Sequence, residues 1–386
     1  MAHPTNMKKS LAIIACLLIT FSMGSLHAFS TLIENIEVQT AVGRMASSLV
    51  YSTAIVNVTI AVFFGHIIYR RLSSLLIIGL ITILPIIGIF IVNTESWIGW
   101  ITGYGIFFGL ASGLGYGFSL HIVSQITSKA KLGLALGSVT ASYAFGALIF
   151  SLLYPIFIDR FSFKVGYSIG VILISTLVLV ALILFLSSKI ILTENSSKKH
   201  GIQTNNPSFI RLWFGYYFGV FAGLLAIGHA VPIIKTVGGS PTIAITSITL
   251  MSLGSGIAGI YSGFLADRFG CKNPLILILI TSAFSLAILT IFIDIKLTLF
   301  LMIIVATLYG AVIAIYPTLV AKLFGLEKSA WAYGKIFTAW GFAGLTAPSI
   351  AGFFYEHSDN YSSSLLLAAI LSAVAAIIIW RLPSKA

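Results

Sequence analysis

The chain has 386 residues, of which 58% are hydrophobic and only 8% charged, and its mean hydropathy is +1.06. A soluble globular chain carries about 25% charged residues, so that class is excluded and lipid is expected to solvate most of the surface. The net charge of +12 would suggest nucleic acid in a soluble protein, but here the cations must first be sorted by loop.

A bilayer core about 30 Å thick needs about 20 apolar residues of helix. In chain order, twelve such runs are read at residues 10–31, 46–68, 74–93, 97–122, 132–156, 165–187, 209–233, 242–262, 273–293, 298–322, 331–355 and 362–381. Alternating ten-residue strands are absent from the sequence, which excludes a β-barrel. The ten acids, Glu34, Glu37, Glu95, Asp159, Glu194, Asp267, Asp294, Glu327, Glu356 and Asp359, all fall between the runs. Residues 8–30 share features with a secretory signal, but the apolar run is long for one, so a retained first span is expected.

With the N-terminus inside, seventeen basic residues lie on the cytoplasmic side and five, Arg44, Arg160, Lys164, Lys235 and Lys296, lie outside, which accounts for all 22. Such a bias places both termini in the cytoplasm. It leaves no basic groove for nucleic acid, only topology signals and contacts with anionic membrane lipid. Cys16 falls in a span and Cys271 in a cytoplasmic loop, so no disulfide is expected.

The longest polar interruption divides the spans six and six: an N-terminal bundle at 1–187, a cytoplasmic linker at 188–208 and a C-terminal bundle at 209–386. Weak internal symmetry supports a duplicated unit. His27 lies 18 residues after Lys9 and His229 lies 18 residues after Arg211, and each histidine precedes an alanine. Aligning Gly65 with Gly263 sets Asn57 opposite Ser255. In the fourth span Gly105, Gly109, Gly113 and Gly117 follow a four-residue step, a pattern that lets helix backbones approach.

After the eighth span the chain reads Gly263-Phe264-Leu265-Ala266-Asp267-Arg268-Phe269-Gly270-Cys271-Lys272. This resembles the G-x-L-x-D-R-x-G-x-K loop signature of the major facilitator superfamily. The first half holds a degraded copy, Gly65-His66-Ile67-Ile68-Tyr69-Arg70, with Tyr69 where the acid would be. The resemblance implies an all-α membrane protein with twelve transmembrane helices in two pseudo-symmetric six-helix bundles, the major facilitator fold. It also implies a gating loop at Gly263, Asp267, Arg268 and Gly270, whose aspartate and arginine make charge-assisted contacts that change between access states.

Within the superfamily the chain is most similar to the oxalate:formate antiporter and monocarboxylate transporter branch, through Ser48 to Ser52, Gly103 to Gly117, Ala222 to Pro232 and Tyr333 to Gly344. Members handling dicarboxylates are expected to carry an arginine in the eighth span and a lysine in the eleventh. Gly259 and Trp340 stand at those positions, so oxalate itself is not expected: a doubly charged anion would enter a low-dielectric cavity unpaired.

Ionisable groups inside a membrane are functional candidates, and here they are histidines. His27 and His229 lie roughly 25 Å from their cytoplasmic starts at about 1.5 Å per residue. An imidazole can gain a proton as it meets an anion, or it can simply bond a neighbouring helix. Asn57 and Ser255, at mid-membrane depth, can hydrogen-bond solute or another helix. Tyr51, Tyr143, Tyr316 and Trp340 offer apolar faces with one polar handle, suited to a small organic ligand or to packing. Pro232 and Pro317 can kink spans seven and ten.

No cofactor, metal cluster, nucleotide-binding loop or enzymatic constellation is read from the residues. The expectation is a monomeric carrier of a small organic solute, monocarboxylate-like, in the bacterial inner membrane, working by alternating access through exchange, facilitated diffusion, or symport with His27 or His229 as the candidate proton coupler. An exporter of a larger amphipathic compound, such as a siderophore or drug, would share the fold. A membrane sensor or assembly subunit is the alternative of another class.

Overall fold

The computed structural model describes residues 6–190, 207–292, 294–358 and 360–383. His3, Glu194, Lys198, Lys199, His200, Asp359, Lys385 and most of the expected linker lie outside them. Among the described residues there is no strand, and twelve helices are long and apolar enough to cross a membrane. They are span 1 (Met7–Thr31), span 2 (Ala46–Arg71), span 3 (Ser74–Val92), span 4 (Trp97–Ile126), span 5 (Lys129–Phe161) and span 6 (Phe163–Ser188). Span 7 (Ser208–Gly228), span 8 (Thr242–Phe269), span 9 (Lys272–Ile291), span 10 (Ile295–Phe324), span 11 (Leu326–Tyr355) and span 12 (Ser362–Trp380) follow. The protein is a multi-pass integral membrane protein.

In hydrocarbon every backbone polar group must be satisfied within the protein, and the sequence supplies the partners locally. Short connections end in capping side chains: Ser73, Ser96, Ser240 and Asp294 each accept a first-turn N–H, from Leu76, Gly99, Ile243 and Leu297 respectively. Aromatic side chains aside, every buried polar side chain among the described residues is serine or threonine. Most of these hydroxyls donate to a carbonyl three or four residues back, as Thr59 does to Ile55 at 2.9 Å and Thr82 to Ile78 at 2.9 Å. A hydroxyl can therefore be buried without an unmet donor. Large apolar side chains such as Phe90, Ile183, Leu277, Phe284 and Ile377, on spans 3, 6, 9 and 12, are more than half exposed and face lipid.

Two compact units are present. One contains spans 1 to 4, span 6, span 5 from Phe145, and Leu326–Gly334; the other contains Lys129–Ala144, spans 7 to 10 and 12, and span 11 from Lys335. Spans 5 and 11 are thus each divided, whereas the sequence repeat assigns each to a single half. Glycine explains the exchange. A Cβ on Gly137 would lie 3.2 Å from the Gly263 Cα and one on Gly259 would lie 3.2 Å from the Ala141 Cβ, so the starts of span 5 and the end of span 8 meet backbone to backbone. In the other unit a Cβ on Gly334 would lie 2.9 Å from the Val62 carbonyl oxygen.

The glycine row of span 4 lies against span 2, as its spacing suggests. A Cβ on Gly109 would sit 2.7 Å from the Ala54 carbonyl oxygen, and one on Gly113 would sit 2.7 Å from the Val58 Cα. The regular step hides one irregularity: Ile101–Phe108 is a π-helix, a wider turn that often accompanies function.

Candidate functional site

Span 1 leaves α geometry at its C-terminal end, where Ser25–Thr31 is a 3-10 helix. Hydroxyls competing for backbone carbonyls bring this about: Ser25 donates to Ser22 at 2.7 Å and Thr31 to Ala28 at 2.7 Å. His27 stands in this tightened segment, half-buried, with its Nδ1 hydrogen-bonded to the Tyr51 hydroxyl. Tyr51 is stacked on Phe29 at 5.4 Å, and Phe29 lies 5.2 Å from Tyr104. Tyr104, in the π-helical turn of span 4, donates to the Leu26 carbonyl at 2.7 Å. The two irregular helix segments are therefore tied to each other at the level of His27. Asn57, six residues past Tyr51, donates to the Thr53 carbonyl of its own helix at 2.9 Å.

Span 7 breaks at the matching histidine. The sequence reads 209–233 as one run, but the helix ends at Gly228 and a short helix, Ala230–Thr236, begins after His229. Pro232 is the physical reason: it has no N–H to continue the ladder back to Gly228. His229 Nε2 lies 2.9 Å from the Pro348 carbonyl oxygen and Nδ1 lies 3.2 Å from the Tyr361 hydroxyl. A carbonyl only accepts, so Nε2 carries a proton, and in the neutral ring Nδ1 accepts from Tyr361. Tyr361 is in turn stacked on Tyr355 at 4.8 Å.

The other candidates of this unit are bonded into its interior. Ser255 donates to the Ala306 carbonyl at 2.5 Å, tying span 8 to span 10. Trp340 donates from Nε1 to the Tyr309 hydroxyl at 2.8 Å and stacks on Phe337 at 4.9 Å. Tyr316 stacks on Tyr216 at 4.0 Å and donates to the Leu212 carbonyl at 3.4 Å. Tyr143 is buried in the divided start of span 5. Sequence reasoning missed Tyr104, Tyr309, Pro348 and Tyr361. Only the proline carried a signal, since a proline inside a helix exposes carbonyls to new partners.

At the loop signature, the Asp267 carboxylate accepts from the backbone N–H of Gly133 at 2.8 Å and of Leu134 at 2.9 Å. An anion there meets the positive end of the span 5 helix. Arg268 is exposed and lies over the Phe269 ring at 5.3 Å. The aspartate's partners are thus main-chain donors rather than the neighbouring arginine. Gly270 has φ +79°, a left-handed conformation that favours glycine, which accounts for the glycine in the motif. Cys271 beside it is buried, and burial pushes its thiol up to about 11, with Lys322 pulling down and Asp267 adding to the rise.

A twelve-span helical membrane protein is the class these features define, with irregular turns at two histidines and an acid-bearing loop seated on a helix end. Residues 212–386 match the profile of the Major Facilitator Superfamily. The human organic anion transporter MFSD10 (TETRAN) superposes with a TM-score of 0.78 at 10% identity, covering 96% of this chain and 99% of that one. The second half of the chain thus resembles the Major Facilitator Superfamily, and the whole chain shares its fold. It is 26% identical over 272 residues to the MFS transporter asaE of Aspergillus flavus, covering 64% of this chain and 59% of that protein. It is 23% identical over 279 residues to the oxalate:formate antiporter of Oxalobacter formigenes, covering 69% of this chain and 65% of that protein. The aligned stretches span less than two thirds of either curated relative.

Proposed function

We propose that this protein is a secondary carrier of a small, monocarboxylate-like organic solute, working as a monomer in the bacterial inner membrane with both termini cytoplasmic. Two six-helix halves, 1–187 and 209–386, rock about a central site. His27, Tyr51, Asn57, Tyr143, His229, Ser255, Tyr316 and Trp340 are the candidates for contact with solute, and Gly263, Asp267, Arg268 and Gly270 form the gating loop.

The observation that carries the proposal is the pairing of each histidine with a helix break and a tyrosine hydroxyl. Irregular turns free backbone groups and let a helix end move, and the imidazole beside them can exchange a proton when an anion arrives. Among the described residues every acid lies in the first or last turn of a span or between spans, which favours histidine as the coupling group. The curated relative named an oxalate:formate antiporter supports an anionic solute.

The fit to a single negative charge has a physical basis. Gly259 has no room for an arginine against Ala141, and the Trp340 ring stands where a second cation would be needed. The test is uptake of labelled formate, acetate and lactate into proteoliposomes at pH 6 and pH 7.5. Uptake that is faster at pH 6 and loses its pH dependence in the His27→Gln, His229→Gln double variant is expected. Transport of larger amphipathic compounds, with none of the monocarboxylates moved, would establish the exporter instead.

A further inference from the structure

In the unit that holds spans 7 to 10 and 12, the cations at one membrane face turn to main-chain carbonyls rather than to carboxylates. Span 12 stops at Trp380, and Pro383 follows, which has no N–H to carry the helix on. Its last carbonyls therefore take donors from elsewhere. Arg211, near the start of span 7, donates from Nη1 to the Arg381 carbonyl at 2.9 Å, and Lys272, which opens span 9, donates from Nζ to the Leu382 carbonyl at 2.6 Å. Two half-buried cations far apart in sequence thus stand over neighbouring carbonyls, and Arg381 itself is exposed at the same helix end. Each bond uses one N–H of a group that has several, and a carbonyl neutralises no charge. Among the described residues none of the three pairs with an acid. Spans 7 and 9 have no acid in their first turns, and Asp267, the acid nearest to Lys272 in sequence, gives its oxygens to Gly133 and Leu134.

We infer that Arg211, Lys272 and Arg381 form a binding site for the phosphate of an anionic phospholipid, whose acyl chains lie along the exposed faces of spans 9 and 12. A half-buried cation is costly without a counter-charge, and the phosphodiester is the anion that a membrane supplies at the end of a span. Trp380 is 65% exposed, and an exposed tryptophan at a span end marks the headgroup level. Leu277 and Phe284 of span 9 and Ile377 of span 12 are also more than half exposed, so apolar surface begins where the cations end. The guanidinium fork suits phosphate oxygens. A headgroup with its own amine would add a further cation to the cluster, so a headgroup without one is selected. None of these residues is a candidate for contact with solute, so the lipid can be measured in the absence of one.

Native mass spectrometry of the full-length protein, delipidated in detergent and titrated with phosphatidylglycerol or phosphatidylcholine of the same acyl chains, tests the site. At about fivefold per cation, the three should favour phosphatidylglycerol by about a hundredfold. Arg211→Gln and Lys272→Gln keep a donor for the carbonyl and remove the charge, and each should lower that preference about fivefold, as should Arg381→Gln. Lys272→Arg, which keeps the charge, should retain it. Lys129→Gln, at an exposed cation before span 5, should leave it unchanged. The comparison of the two lipids on the unaltered protein needs no variant to fold, and equal binding of both would overturn the site. An equal fall in Lys129→Gln would show general surface attraction and overturn it too. Displacement of the lipid by inorganic phosphate at the lipid's own concentration would mark an ion site and refute the lipid.

Discussion

Replacing His229 by phenylalanine removes two hydrogen bonds at once and keeps a ring of similar size. Each bond contributes about 1 kcal/mol net, one to the Pro348 carbonyl at 2.9 Å and one to the Tyr361 hydroxyl at 3.2 Å. Tyr361 is 6% exposed, so water does not replace the lost partner. His229→Phe should therefore cost about 2 kcal/mol and Tyr361→Phe about 1 kcal/mol. The double variant should cost about 2 kcal/mol rather than 3, because the shared bond is counted once, leaving a coupling of about 1 kcal/mol. His229→Gln should behave differently: its amide can still donate to Pro348, and Tyr361→Phe in that background should cost almost nothing. Reversible denaturation of the four proteins in mixed micelles measures the cycle. A coupling within about 0.3 kcal/mol of zero, the limit of ordinary additivity, would refute the assignment of Tyr361 as the donor to Nδ1 and with it the neutral tautomer.

Cys271 offers a pH test. Its thiol is raised from 9.0 to about 11 by burial, so the folded state holds a proton that the unfolded state has lost, and stability is present below pH 9 and lost as pH rises from 9 to 11. In a Cys16→Ala background, alkylation by N-ethylmaleimide should be slow at pH 7 and rise about tenfold per pH unit, following the thiolate; a flat profile would contradict a buried, protonated thiol. Gly113→Leu should cost about 1–3 kcal/mol or more through overpacking, because even its Cβ would stand 2.8 Å from the Ala61 Cβ, while Gly79→Leu, with nothing within 4 Å, should be silent in thermal unfolding. Tyr104→Phe should lower stability by about 1 kcal/mol and increase amide exchange across 25–31, since its 2.7 Å bond to Leu26 pins the 3-10 segment; unchanged exchange there would separate the two irregular turns.

What the sequence makes legible is set by periodicity and composition. Twelve spans follow from apolar runs longer than a bilayer needs, and the glycine row of span 4 was readable because a four-residue step permits one outcome, close approach to another helix. The matching of His27 with His229 was readable from equal spacing to a basic anchor. The break at His229 was half-legible: Pro232 signalled a disturbance, but not that it would fall three residues earlier. The 3-10 turn around His27 and the π-turn at Ile101–Phe108 were not legible, since serine and threonine bond back to carbonyls in regular helices as well, and the Tyr104–Leu26 and Phe29 contacts that tie the two turns together join spans 1, 2 and 4, which no local window contains.

The partners that sequence reasoning missed are mostly main-chain atoms: the Pro348, Leu26 and Ala306 carbonyls and the Gly133 and Leu134 N–H groups. This follows from the solvent. In hydrocarbon a polar side chain gains most from the nearest unsaturated backbone group, and serine and asparagine find one on their own or an adjacent helix. Asn57 and Ser255 have each already directed a proton to such a carbonyl. For either to donate to a solute it would first have to break that bond, and the net gain from binding would be close to nothing. The histidine–tyrosine pairs are different, because a hydroxyl can reverse its donor and acceptor roles as the ring gains or loses a proton. An arriving carboxylate can therefore be answered at His27 and Tyr51, or at His229 and Tyr361, by a proton shift that leaves every partner satisfied. That is the physical ground for weighting the histidine pairs above the mid-membrane amide and hydroxyl as the place where charge is exchanged.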